Sequence, residues 1–132
     1  MTTRTLLHAI CAVALSGCAH TQLDPESGYA ARMKHSGDRY LGCMTAEAEK
    51  DMKNPAGAED IAIAAHARCW TAWDDYRKVT NASFLKGART PGEQQFARDK
   101  AEAHLRQFER EAQRTVVDAV VQRNLRGVNR AP

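Results

Sequence analysis

Cys43 and Cys69 stand at equal distances from one turn signal, and that symmetry limits what the chain can fold into more than any other feature. The turn is Asn54-Pro55-Ala56-Gly57, the only such signal between the two cysteines, and Pro followed closely by Gly marks a break between helices. In an antiparallel hairpin, residues equally far from the turn face each other, and position 56 is the midpoint of 43 and 69. The two cysteines therefore sit at matching heights on neighbouring helices.

The rest of the pattern is helical too. The first helix is expected to start near Asp24-Pro25-Glu26, where Asp caps and Pro suits the first turn, and to run to about Lys53. Met33, Tyr40, Met44 and Met52 recur along it at helical spacing, while Gly28 and Gly37 weaken its early part. The second helix follows Gly57, carries Glu59 and Asp60 in its first turn, and presents Ile61, Ala65, Cys69, Ala72, Trp73 and Tyr76 on one stripe. Its end is expected near Asn81 or Gly87. The third has the clearest start in the chain, with Thr90 as cap, Pro91 in the first position and Glu93 three residues after the cap. Its apolar face is Ala101, Leu105, Phe108, Ala112, Val116, Ala119 and Val120, and Gly127 is the expected stop after Arg126. With no strand-like alternation and no repeat, the expected fold class is all-α, a small antiparallel three-helix bundle with a disulfide-stapled hairpin.

Composition sets the scale of that bundle. At 132 residues the chain forms one domain, and with Leu, Ile, Val and Phe scarce and Ala abundant it buries a thin core. A large enclosed active-site pocket is not expected. The net charge of +3 is too small for a nucleic-acid binder, which needs a strong basic face.

The amino terminus points to a compartment. Arg4 is the only charge before Asp24, and Leu6–Leu15 is apolar apart from His8, too short for the roughly 20 residues that span a bilayer. A charged start, a short apolar run and small residues describe a cleaved export signal. Leu15-Ser16-Gly17-Cys18 resembles the lipobox of bacterial lipoproteins, whose cysteine is diacylated, becomes the first residue on cleavage and is then N-acylated. The resemblance implies a signal peptide over 1–17, a lipidated tether over 18–24, a helical domain over 25–127 and a short tail over 128–132. Cleavage removes Arg4 and lowers the net charge by one. Two or three acyl chains, at about 0.8 kcal/mol per buried CH₂, exceed what stable anchoring needs. Ala19 stands where lipoproteins kept in the inner membrane often carry Asp, so the resemblance implies a periplasm-facing protein held in the outer membrane. The six links from Cys18 to Asp24 reach at most about 20 Å.

That resemblance also assigns the cysteines. Cys11 leaves with the signal and Cys18 takes lipid, so Cys43 and Cys69 remain to pair in an oxidising compartment. A bridge needs Cα atoms within about 7 Å, closer than the roughly 8–10 Å between packed helices. Gly42, Ala46 and Ala48 on one arm and Ala62, Ala65 and Ala72 on the other would permit that approach. The competing reading is a metal site from Cys43, His66 and Cys69, which lacks the fourth protein ligand usual for structural zinc.

Other candidates are weaker in chemistry. Residues 81–132 carry 10 basic and 6 acidic side chains, and Arg123, Arg126 and Arg130 have no acidic neighbour after Asp118. They form a candidate surface for anionic headgroups, cell-wall polymers or an acidic partner, with a solvated helix end as the plain alternative. Trp73 is expected in the core, whereas Trp70 lies off the Ile61–Tyr76 stripe and is a candidate contact residue. Asp74 and Asp75 diverge by about 100° on a helix, do not converge on one bond, and are expected to be solvated. His20, His35, His66 and His104 accompany no nucleophile turn, no haem-attachment signal and no phosphate loop, so neither an enzyme nor a cofactor is expected.

Two functions follow as expectations. The first is a non-enzymatic adaptor or scaffold for an envelope assembly, bound to the membrane through Cys18 and to an envelope protein; in general design it resembles the small helical pilotin lipoproteins that escort secretins. The second is inhibition of a cell-wall hydrolase such as lysozyme, because Cys69-Trp70-Thr71-Ala72-Trp73-Asp74 is similar to a segment of small helical lysozyme inhibitors.

Overall fold

A computed structural model describes residues 25–53 and 56–128, with side chains placed from Gly28 to Arg126. Cys18, Asn54, Pro55 and Arg130 lie outside the described residues. Four α-helices follow one another: α1 (Pro25–Asp51), α2 (Ala58–Arg68), α3 (Trp70–Leu85) and α4 (Pro91–Val128). The fold is all-α, but the expected count of three is wrong because the second helix is broken at Cys69. There the backbone leaves helical geometry, with φ −93° and ψ 14°, and the Cys69 N–H is shared between the carbonyls of Ala65 and His66 at 3.0 and 3.1 Å. Such sharing tightens the last turn of a helix. The chain re-enters helix at once, and the Trp73 N–H donates to the Cys69 carbonyl at 3.0 Å.

Pairings between elements fix the topology. Along α1, Glu47 meets Arg68, Cys43 meets Cys69 and Arg39 meets Asp75, so α2 and α3 run antiparallel to α1. His66 meets Glu109 and Tyr76 meets His104, so α4 reverses direction again. Consequently α1 and α4 are parallel, with Gly37 beneath Phe108 and Met52 beside Arg123.

Burial follows the apolar stripes with three corrections. Tyr40, Met44, Ile61, Ala65, Cys69, Trp73 and Tyr76 are buried as expected, and the stripe from Ile61 to Tyr76 continues across the break. Ala119, expected on the core face of α4, is exposed, while Ala97 is buried at its other end. Gly42 and Ala46, expected to admit the close approach, face solvent, whereas Ala48, Ala62 and Ala65 are buried. Gly37, which looks like a weakness in α1, is instead a contact: a Cβ there would lie 3.2 Å from Cζ of Phe108 and 3.2 Å from Cε2 of Tyr76.

The α3–α4 connection is made by local chemistry. Gly87 takes a φ of 86°, a region that favours glycine, and the Ala88 N–H closes the turn onto the Leu85 carbonyl at 3.2 Å. The cap expected at Thr90 forms. Its Oγ1 accepts from the Glu93 N–H at 3.2 Å, and Glu93 Oε2 accepts from the N–H groups of Thr90 and Arg89 at 2.9 and 2.8 Å. The 38-residue helix that starts there is continuous, about 57 Å long, and passes through Gly127 rather than stopping at it.

Candidate functional site

Cys43 and Cys69 form a disulfide with an S–S distance of 2.01 Å and Cα atoms 5.9 Å apart. Both sulfurs are thereby consumed, which removes the metal reading that needed them as thiolates. Among the described residues no group of three His, Cys, Asp or Glu side chains is arranged to hold a metal ion.

Beside the bridge lies a seam of aromatic and imidazole rings. Tyr40 is fully buried, and burial, with the Glu109 charge adding to it, pushes its phenol well above the ordinary value. The Tyr40 hydroxyl and Nδ1 of His66 are hydrogen-bonded at 2.7 Å, and Nε2 of the same ring faces Glu109 Oε1 at 3.5 Å. A second pair, Tyr76 Oη with His104 Nε2 at 2.8 Å, ties α3 to α4. Burial also raises the Tyr76 phenol. Trp73 fills the space between, with ring centroids 5.1 Å from Tyr40 and 5.9 Å from Tyr76. These groups hold four helices in register. Tyr76 and His104 also line a shallow recess of about 230 Å³ with Met33, Gly37 and Phe108.

One group of exposed apolar residues lies on α2 and at the start of α3. Trp70 is 54% exposed, in contrast to Trp73 at 6%, and sets its edge against His66 at a centroid distance of 6.3 Å. Seven residues earlier Ile63 is 61% exposed. It lines a recess of about 320 Å³ with Glu59, Arg110, Arg114 and Val117. Neighbouring cations are paired, Arg106 to Glu102 and Arg68 to Glu47 and Asp51, but Arg110 and Arg114 meet no carboxylate among the described residues. Sequence reasoning missed Ile63, Arg110 and Arg114. The available signal was that Ile63, like Trp70, falls off the Ile61–Tyr76 stripe; the arginines carried none.

The candidate arginines lie elsewhere. Arg123 and Arg126 are exposed on the last turns of α4 and border, with Glu49 and Met52, a separate recess against α1. Arg123 Nη1 reaches Met52 Sδ at 3.2 Å. Trp70 sits near His66 and hence near Glu109, fourteen residues before Arg123, or about 21 Å along the helix. The structure does not bring Trp70 and the two arginines into one surface. Asp74 is at the surface, where Lys78 and Arg77 both pair with it and hold it below its ordinary range, and Asp75 faces Arg39 at 3.6 Å.

Comparison with protein-family models, with curated proteins and with solved structures finds no match.

Proposed function

We propose that this chain is an outer-membrane lipoprotein, anchored through Cys18 and facing the periplasm, whose helical domain acts as a non-enzymatic adaptor for an envelope assembly. The anchor in this reading comes from Leu15-Ser16-Gly17-Cys18, and its location from Ala19. The observation that carries the adaptor role is the polarity of the bundle. Because α1 and α4 are parallel, the end of α1 that joins the tether lies at the opposite pole from the end of α4. The 27 residues of α1 separate the poles by about 40 Å. At the far pole, residues 121–126 are all exposed, with Val121 and Leu125 apolar and Arg123 and Arg126 basic. A rod tethered at one end and uncovered at the other suits a protein that holds something away from a membrane.

Inhibition of a hydrolase is less well supported. An inhibitor of a basic enzyme presents free carboxylates, whereas Asp74 in the segment that prompted that reading is engaged by Arg77 and Lys78.

The test is cross-linking in intact cells, followed by purification from the membrane and mass spectrometry of what is attached. The adaptor reading expects one specific envelope protein in stoichiometric amount. Recovery of the protein with no attached envelope protein contradicts it.

A further inference from the structure

Two independent features meet at the recess between α2 and α4 and the start of α3 beside it. The first is apolar. Ile63 and Trp70 are left largely in solvent, 61% and 54% exposed, by a domain that buries Tyr40 completely. Ile63 lies on α2 and Trp70 opens α3 just past the break at Cys69, where it touches His66, the residue that meets Glu109 of α4. The second is electrostatic. Arg110 and Arg114 are one turn apart and line the recess that Ile63 enters, with Val117 beside them and no carboxylate among the described residues to neutralise either.

We propose that this furrow docks an acidic amphipathic helix of an envelope partner protein, its apolar stripe covering Ile63, Val117 and Trp70 and its carboxylates pairing with Arg110 and Arg114. This rests on the adaptor reading and adds the chemistry of the partner. The shape selects a helix, because a recess between two helices, with Ile63 and Val117 beside arginines one turn apart, matches anchors at i and i+3 or i+4 on one face of a third. The charge selects acid: two unpaired guanidinium groups offer forked donors to carboxylates. Glu59, at the end of the same recess, sets the direction, since it repels an acidic residue and accepts a basic one at that end of the incoming helix. A flat anionic membrane surface fits less well, because Glu59 would face its phosphates.

The experiment uses the full-length protein in nanodiscs of zwitterionic lipid, titrated with a 20-residue helical peptide bearing leucines on one face and glutamates on both flanks, and read by tryptophan emission. Saturable binding with a blue shift is expected, and at least tenfold weaker binding of the same peptide with lysine flanks. The double variant R110E/R114E changes only exposed side chains and is expected to reverse that ranking. Ile63→Asp is expected to weaken binding at least tenfold. Equal affinity for both peptides overturns the proposal. So does a larger response to phosphatidylglycerol vesicles than to the acidic peptide, which would make the surface lipid-binding, or a concentration-dependent dimer that shields Trp70, which would make the occupant a second copy. A photo-cross-linker placed at 63 and, separately, at 125 on the far pole distinguishes the furrow from the adaptor reading it rests on. Capture of an envelope protein at 125 and not at 63 overturns the furrow and leaves the adaptor, while no capture at either removes both.

Discussion

Cys43 and Cys69 approach to 5.9 Å between Cα atoms, closer than packed helices usually come, and the bridged Cys69 is also the point where the return arm breaks into α2 and α3. The bridge links positions 26 apart in a domain where six of the fifteen buried hydrophobic residues are alanine. In the chain-entropy account a loop of that size contributes roughly 3 to 4 kcal/mol.

Replacing both cysteines with serine is therefore expected to lower the melting temperature by about 10 °C or more, using the usual scaling for a domain of this size. Thermal unfolding followed by far-ultraviolet circular dichroism, with and without reductant, checks it. An unchanged midpoint would mean the core carries the fold without the staple.

Gly37 and Gly42 are five residues apart on α1 and should respond in opposite directions to the same change. At Gly42 a Cβ meets nothing within 4 Å, so Gly42→Ala is expected to stabilise the domain by about 0.5–1 kcal/mol through helix propensity. At Gly37 the Cβ meets two rings at 3.2 Å, and Tyr76 cannot yield freely because it is hydrogen-bonded to His104 and stacked on Phe108 at 4.3 Å. Gly37→Ala is expected to cost about 1–3 kcal/mol from overpacking, partly offset by propensity. Urea unfolding of the two variants side by side decides the matter.

Trp70 and Trp73 offer a similar contrast. Truncating the buried Trp73 to alanine is expected to cost about 3–5 kcal/mol, whereas Trp70→Ala should change stability by no more than about 0.5 kcal/mol. Emission from the Trp70 variant should also shift to the blue, because the solvent-facing indole is the one removed. A large stability loss at Trp70 would show that it belongs to the core.

Glu93 makes the start of α4 sensitive to pH. The Thr90 N–H, then the Arg89 N–H, then the Thr90 hydroxyl hold its carboxyl below the ordinary value of 4.5. A carboxylate whose folded-state value is depressed adds stability above its unfolded value, and that contribution is lost as pH falls through the lower folded value. Glu93→Ala should therefore destabilise at pH 7, with the gap to the parent closing as pH drops from about 4.5 downward. The urea midpoint of both proteins across that range is the measurement; a constant gap would contradict the capping role.

Much of this was legible in the residues because the signals were local. Thr90, Pro91 and Glu93 spell the cap that forms, and the symmetry of Cys43 and Cys69 about position 56 gives the pairing that is seen. The break at Cys69 was not legible, since apolar spacing from Ile61 through Ala65, Cys69 and Trp73 stays helical and neither Pro nor Gly interrupts it. Gly37 was misread for a related reason: a glycine inside a helix looks like a weakness until the rings of Tyr76 and Phe108, brought from two other helices, are seen against it. The furrow with Ile63, Arg110 and Arg114 needed α2 and α4 to be placed side by side, which no pattern within either segment states.

The anchored-adaptor account stands first on Cys18. The most direct measurement is the intact mass of the protein recovered from the membrane fraction, with the lipidated amino-terminal peptide sequenced by tandem mass spectrometry. The account predicts a chain that begins at Cys18, lacks the first 17 residues and carries three acyl chains on that cysteine. A chain that begins elsewhere, or an unmodified Cys18, contradicts it.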